Sequence, residues 1–288
     1  MSVYYRPSRI NEAVDLLDEY GDDAKVLAGG QSLIPMMSAG FLRPQVIVDV
    51  NYLSDLSSVS VSGGYVHVGA LVRHRALELD GVGLGPVAPL LPAGASLISH
   101  AAVRNLGTFV GSLVHADPSA EFPAVAVAAD VSVRLVSRSG ERIVSAVDFF
   151  LGPLTCDIRS DEVAVEAVMP VVPPRTGAAV QELAYRDGDY AVVGAVAQLS
   201  LDDAGGIADA RLVVFAADAT PVRISDAELL LRADGVDAIS EAAILARGRV
   251  HPSSDATASA AYRAEMVPVF CRRALQDALA LASAAAPS

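Results

Sequence analysis

The chain has 288 residues, of which 52% are hydrophobic and 19% charged, and carries a formal net charge of −13 at pH 7. This is the profile of a folded protein with a substantial core, in one large domain or a few smaller units, and not of a disordered chain. So acidic a surface repels nucleic-acid backbones, and there is no apolar run of about 18 residues to span a membrane.

The start, Met1-Ser2-Val3-Tyr4-Tyr5-Arg6-Pro7, lacks the apolar stretch of a signal peptide, so a cytoplasmic location is expected. Ser8 is placed to cap a helix on which Ile10, Ala13, Val14, Leu17 and Tyr20 recur at helical spacing, with Gly21 as the stop. Lys25 to Ala28 reads as a short strand. Gly29-Gly30 turns the chain, and Ser32 starts a helix through Met37 that Gly40 ends. Val46 to Val50 reads as a buried strand. Ser62-Gly63-Gly64 signals a hairpin into Tyr65 to Gly69, where Val66 and Val68 alternate with Tyr65, His67 and Gly69.

Leu90 to Ala102 and Ala124 to Ala129 read as helices. Val131 to Val136 alternates cleanly, Ser139-Gly140 turns it toward Arg142-Ile143-Val144, and Glu162 to Met169 is a further strand. Pro170, Pro173 and Pro174 mark a domain boundary. Beyond it, Ala191 to Leu201 and Ala210 to Ala216 read as strands joined by Asp202-Asp203-Ala204-Gly205-Gly206. Helices are predicted over Ser225 to Leu231, Ile239 to Arg247 and Ser259 to Ala282. Short connections dominate, so the sheets should be mostly antiparallel.

Three segments could carry chemistry. In Leu27-Ala28-Gly29-Gly30-Gln31-Ser32-Leu33, two glycines permit close backbone approach and Gln31 and Ser32 add donors at a helix start. That grammar holds a phosphate, or makes an ordinary tight turn. Arg104 to Pro118 interleaves small hydrogen-bonding residues with apolar ones, and its donors need partners from a bound polar ligand, from the loop itself or from water. Asp117 and Glu121 share one face if their segment is helical, either as an acid–base pair or as a solvated helix face.

Other patterns are weaker. Gly81-Val82-Gly83-Leu84-Gly85-Pro86 lacks the flanking strand and helix of a dinucleotide fingerprint. The two cysteines, Cys156 and Cys271, form no Cys-x-x-Cys pair and read as reduced, buried thiols, and the five histidines show no metal spacing.

Together these segments resemble the medium, FAD-binding subunit of molybdenum hydroxylases of the carbon monoxide dehydrogenase and xanthine dehydrogenase type. The likeness runs over essentially the whole chain. It rests on Ala28-Gly29-Gly30-Gln31-Ser32-Leu33-Ile34-Pro35, on Val103-Arg104-Asn105-Leu106-Gly107-Thr108 with His115 to Ala124, and on Gly188-Asp189-Tyr190-Ala191. A tail around Ser254-Asp255-Ala256, Ala260-Ala261-Tyr262-Arg263 and Arg272-Arg273-Ala274-Leu275 completes it.

The resemblance implies an α+β fold. Two FAD-binding subdomains of the vanillyl-alcohol-oxidase-like (PCMH) type would span 1–57 and 58–174. An α+β C-terminal domain with a three-stranded antiparallel sheet and helices would span 175–288. It implies FAD in this chain, with molybdopterin on a large partner subunit and [2Fe–2S] clusters on a small one. It further implies an external electron acceptor and a dimer of heterotrimers.

By position, Leu27 to Ile34 would wrap the FAD diphosphate, and Thr108, Gly111 and Ser112 would line its other half. Glu121 would accept hydrogen bonds from the flavin or its ribityl chain, and Tyr190 would lie on the isoalloxazine face. Ile98, Ile158 and Asp117 would stand near the cofactor. The chain departs at Thr108-Phe109-Val110-Gly111-Ser112, where the family usually reads Thr-Ile-Gly-Gly-Asn. A β-branched residue is disfavoured at positive φ, so the loop must avoid that conformation at Val110 or shift. Two alternatives stand beside the flavoprotein reading: a FAD-less binding or assembly module on the same fold, and a free-standing flavin reductase.

Overall fold

The structure is a computed structural model that describes residues 2–79 and 83–285. Gly81 and Val82 of the glycine-rich pattern lie outside the described residues.

The first unit runs β1 (Val3–Tyr5), α1 (Ile10–Tyr20), β2 (Ala24–Leu27), α2 (Leu33–Ser38) and β3 (Val46–Asp49). Its sheet has the order β1-β3-β2 and both pairings are parallel. Here the antiparallel expectation fails, because a helix lies on each connection and returns the chain to the same end of the sheet. In α1 the residues Ala13, Val14 and Leu17 are buried, as their spacing requires. Ser8 is not the N-cap. Arg9 holds that position, and the backbone N–H and hydroxyl of Ser8, one residue before the cap, donate to the Glu12 carboxylate in the first turn. Ser32 caps α2 by position only, since its side chain makes no cap bond.

The second unit contains β4 (Val59–Ser62), β5 (Tyr65–Gly69), α3 (His74–Glu78), α4 (Leu90–Ala95), α5 (Ala101–Arg104), α6 (Phe109–His115) and α7 (Glu121–Ala128). It continues with β6 (Ser132–Ser137), β7 (Gly140–Ser145), α8 (Ala146–Phe149), β8 (Phe150–Gly152), β9 (Thr155–Cys156) and β10 (Val163–Pro170). The antiparallel sheet has the order β4-β5-β10-β6-β7. The helix expected from Leu90 to Ala102 is two helices, broken where Ser99 takes φ 43°. Helix α7 starts earlier than Ala124, and all its 8 residues are buried.

The third unit holds β11 (Thr176–Leu183), β12 (Val193–Leu201), β13 (Ile207–Phe215), β14 (Val222–Arg223), α9 (Ser225–Asp234), α10 (Ile239–Arg247) and α11 (Ala260–Ala284). The expected three-stranded sheet is four-stranded, antiparallel in the order β11-β12-β13-β14, the last being a two-residue edge strand.

Alternation assigns the two faces of this sheet to different cores. Val196, Val213 and Phe215 join the core around α7, with Phe122 and Val125. Ala195, Ala197, Leu212 and Val214 join the core under α9, α10 and α11. Each fully buried Val, Leu or Phe is worth about 1.5–3 kcal/mol, so this sheet binds the third unit firmly to the second. A separate core beneath the parallel sheet is built on Val14, Leu17, Val46 and Val48. Among the described residues no helix is long and apolar enough to cross a membrane, and no His, Cys, Asp or Glu group could hold a metal ion.

Candidate functional site

A cavity of about 690 Å³ opens between the parallel sheet, α6, the start of α7 and the loop before β12. That lies in the upper part of the range of roughly 300–1,000 Å³ for small-molecule sites. Ala28, Gly29, Gly30, Gln31, Ser32 and Leu33 line it from one side, and Thr108, Gly111 and Ser112 from another. Ile98, Asp117, Glu121, Ile158 and Tyr190 line the rest. Leu27 and Ile34 do not. They flank the turn, where their side chains would meet a Cβ on Gly30 at 3.1 and 3.2 Å.

The two glycine motifs meet backbone to backbone. A Cβ on Gly29 would stand 2.5 Å from the Leu106 carbonyl oxygen and 2.8 Å from Gly107 Cα. Gly30 takes φ +71°, which L side chains rarely adopt. Among the described residues, the backbone N–H groups of Gly30, Gln31 and Ser32 have no hydrogen-bond acceptor. Three successive orphan donors on a cavity wall suit an anionic ligand.

A polar network absent from the sequence reading holds the two turns together. Asn51 Nδ2 donates to the Ala28 carbonyl at 2.8 Å and to Asp49 Oδ1 at 2.7 Å. Arg73 donates to Asn51 Oδ1 at 2.6 Å and to the Leu106 carbonyl. Asp49 is buried and also accepts from the Tyr4 hydroxyl. Asn just past a buried strand was the one available signal, because strand-end polar residues recur at sites. Arg73 and His74 gave none.

His74 is 6% exposed, lines the cavity and has no partner for either ring nitrogen. Burial lowers its pKa to about 4, so the ring is neutral. A second clamp shapes the wall around Ile98. Arg104 donates to the Ile98 and Ser99 carbonyls at 2.8 and 2.7 Å while forking onto both Glu78 oxygens.

Thr108 is the N-cap of α6, its hydroxyl accepting from Gly111 N–H at 3.2 Å. Val110 is helical and 2% exposed, so the departure from the family's glycine leaves no strain. The Asp117–Glu121 segment is not a helical face: Asp117 sits in a loop, accepting the Ser119 N–H at 2.8 Å, and Glu121 opens α7. Both residues nonetheless line the cavity. Burial, reinforced by Glu182 and Asp117, raises the Glu121 pKa to about 8.

Cys156 is half-buried rather than buried. Its thiol points at the Val114 carbonyl and is pushed by burial up to about 11. The tail motif lies away from the cavity, where buried Arg263 donates to the Val192 and Ala216 carbonyls and ties α11 to the sheet.

The chain matches the family model described as FAD binding domain in molybdopterin dehydrogenase over residues 1–172, and that described as CO dehydrogenase flavoprotein C-terminal domain over 178–278. It is 35% identical to the 6-hydroxypseudooxynicotine dehydrogenase complex subunit alpha of Paenarthrobacter nicotinovorans, covering 96% of this chain and 94% of that one. It is 32% identical to the carbon monoxide dehydrogenase medium chain of Hydrogenophaga pseudoflava, covering 96% of each. The fold superposes on carbon monoxide dehydrogenase from Hydrogenophaga pseudoflava with a TM-score of 0.93, at 32% identity over 97% of this chain and 98% of that one.

The cradle a Cβ would fill, the orphan donors and the unpartnered His74 all fit the cofactor that these matches name. The chain belongs to the FAD-binding medium subunits of the molybdenum hydroxylase family, the flavoprotein components of molybdenum-dependent dehydrogenases.

Proposed function

We propose that this subunit works in a heterotrimer with a large molybdenum-cofactor subunit and a small iron–sulfur subunit. FAD bound here would take electrons from the partner's [2Fe–2S] clusters and pass them to an external acceptor, with the substrate chosen by the large subunit. The observation that carries this reading is the contact of Gly29 with Leu106 and Gly107, which turns two motifs distant in sequence into one cradle.

Within it, the Gly30 to Ser32 N–H groups would bind the diphosphate. Thr108, Gly111 and Ser112 would line the opposite wall, and Ile98 and Ile158 would pack the apolar parts. Tyr190 would stand on the isoalloxazine face, and the acidic corner at Asp117 and Glu121 would meet the flavin or its ribityl chain. The cavity supplies position and electrostatics for a cofactor that performs the redox step. The chain is proposed to divide at 1–57, 58–174 and 175–288, each unit with elements of its own around the shared site.

The FAD-less alternative drew on Val110 and Ser112. Val110 is accommodated inside α6 and Ser112 lines the cavity, so neither favours it.

The test is purification of the chain with the products of neighbouring genes. Flavin absorbance, iron and molybdenum in one complex, with flavin reduced on adding the complex's substrate, are expected. A complex without flavin, or a flavin-bearing chain that binds neither partner and turns over NAD(P)H alone, would replace this reading by one of the two alternatives.

A further inference from the structure

We propose that Glu121 is a neutral carboxylic acid at physiological pH that donates its hydroxyl proton to an acceptor atom of the bound flavin, and that Glu182 is the positioning residue that keeps it protonated. This rests on the reading of the cavity as the FAD site. It reverses the polarity that the family resemblance assigns to Glu121, where the carboxylate accepts.

Glu121 is 8% exposed, lines the cavity and opens α7; its carboxyl meets its own backbone N–H but no side-chain donor among the described residues. Its surroundings are acidic or apolar. Asp117 approaches from the α6–α7 connection, Glu182 from β11 and Tyr190 from the loop before β12. From α4, α8, β12 and β13 the core residues around α7 are apolar. Arg223 of β14 is engaged elsewhere, bound to Asp130 beyond the far end of α7 and to Glu228.

The basic groups nearby do not compensate. His115 lies 4.0 Å from Asp117, not from Glu121, and burial drives its ring toward the neutral form. His74 is neutral for the same reason. Glu182 belongs to the C-terminal sheet and does not line the cavity, and its Oε2 is buried with no partner.

An ionised Glu121 would therefore be a charge met only by its own backbone N–H in a low-dielectric wall, beside a cofactor whose diphosphate is already anionic. The protonated form removes that repulsion and supplies a donor. A raised pKa, to about 8 for Glu121 and about 7 for Glu182, accords with this arrangement. Binding an anionic cofactor raises the Glu121 value further, so FAD affinity must fall once the free protein's carboxyl ionises.

The experiment is titration of the cofactor-free full-length chain with FAD from pH 6 to pH 9.5, read by quenching of flavin fluorescence. Affinity is expected to be level at the acid end and to fall by about tenfold between pH 7 and pH 9. Glu121→Gln, neutral at every pH, is expected to give a level profile. Glu182→Gln, which removes a neighbouring negative charge, should move the onset of the fall to lower pH. The cofactor's own titrations are common to all three proteins and cancel.

A level wild-type profile, or a fall that persists in Glu121→Gln, overturns the proposal. An unmoved onset in Glu182→Gln overturns the role of Glu182. Absence of FAD binding at every pH refutes the flavin site itself, a separate result.

Discussion

At Gly29 any side chain would collide with the backbone of Leu106 and Gly107, and at Gly30 any side chain would strain a left-handed turn. Gly30→Val, with a β-branched side chain at φ +71°, should lose bound flavin outright while far-UV circular dichroism stays native. The ratio of flavin to protein absorbance measures it, and unchanged flavin content would place binding elsewhere. The glycines were legible as a turn through their immediate chain neighbours, whereas the helix that Thr108 caps was not, since Arg104 to Pro118 reads as a loop. Nor were Asn51, Arg73 and His74. The partners of Arg73 lie 22 and 33 residues away, and only the fold brings them together. Val110 takes the first of the two courses open to a β-branched residue there: it avoids positive φ by lying inside α6.

Among the elements, α6 is short and depends on its start. Thr108 supplies the side-chain bond at its N-cap, from a buried position. Thr108→Ala should lower stability by about 1 kcal/mol and weaken FAD binding together, because α6 carries Gly111 and Ser112 into the cavity. Paired denaturant and flavin titrations would show whether the two losses go together, and a stability loss with unchanged affinity would separate helix from site. Strand β11 escaped the sequence reading because its first half is Thr-Gly-Ala-Ala. Small residues there make room for α11: a Cβ on Gly177 would stand 2.1 Å from the Ala278 carbonyl oxygen. The break at Ser99 was equally hidden, since Arg104, five residues on, holds the turn's carbonyls.

At the scale of the whole molecule, buried carboxyls set the response to pH. Glu121 and Glu182 bind their protons more tightly in the folded chain, pushed by burial up to about 8 and about 7. Their contribution is complete below the ordinary Glu value near 4.3 and is lost as pH rises toward 8. Glu162 behaves in the opposite sense. Burial works against its charge, but hydrogen bonds from Arg142 and the Arg159 N–H outweigh it and hold the carboxyl below its ordinary value. Its contribution is present above that ordinary value and is lost as acid takes pH through the lowered one. Buried His74, held down to about 4, works the other way between that value and its ordinary 6.5, so the melting temperature of the cofactor-free chain should decline most clearly from about pH 6.5 to about pH 8, with Glu121→Gln flattening that limb. A melting temperature that climbs across that span would contradict this. The antiparallel strands were visible as separate patterns, but the packing of their sheets on one another was not, because α7 carries almost no pattern beyond small apolar residues. That helix has no wet face: it is enclosed by the second unit's elements and by β12 and β13. The wall bearing Glu121 thus moves only when the core shared by the second unit and the C-terminal sheet opens. Residence time of the flavin becomes a property of core cohesion, shortened by any loosening of the C-terminal sheet that never touches the cofactor.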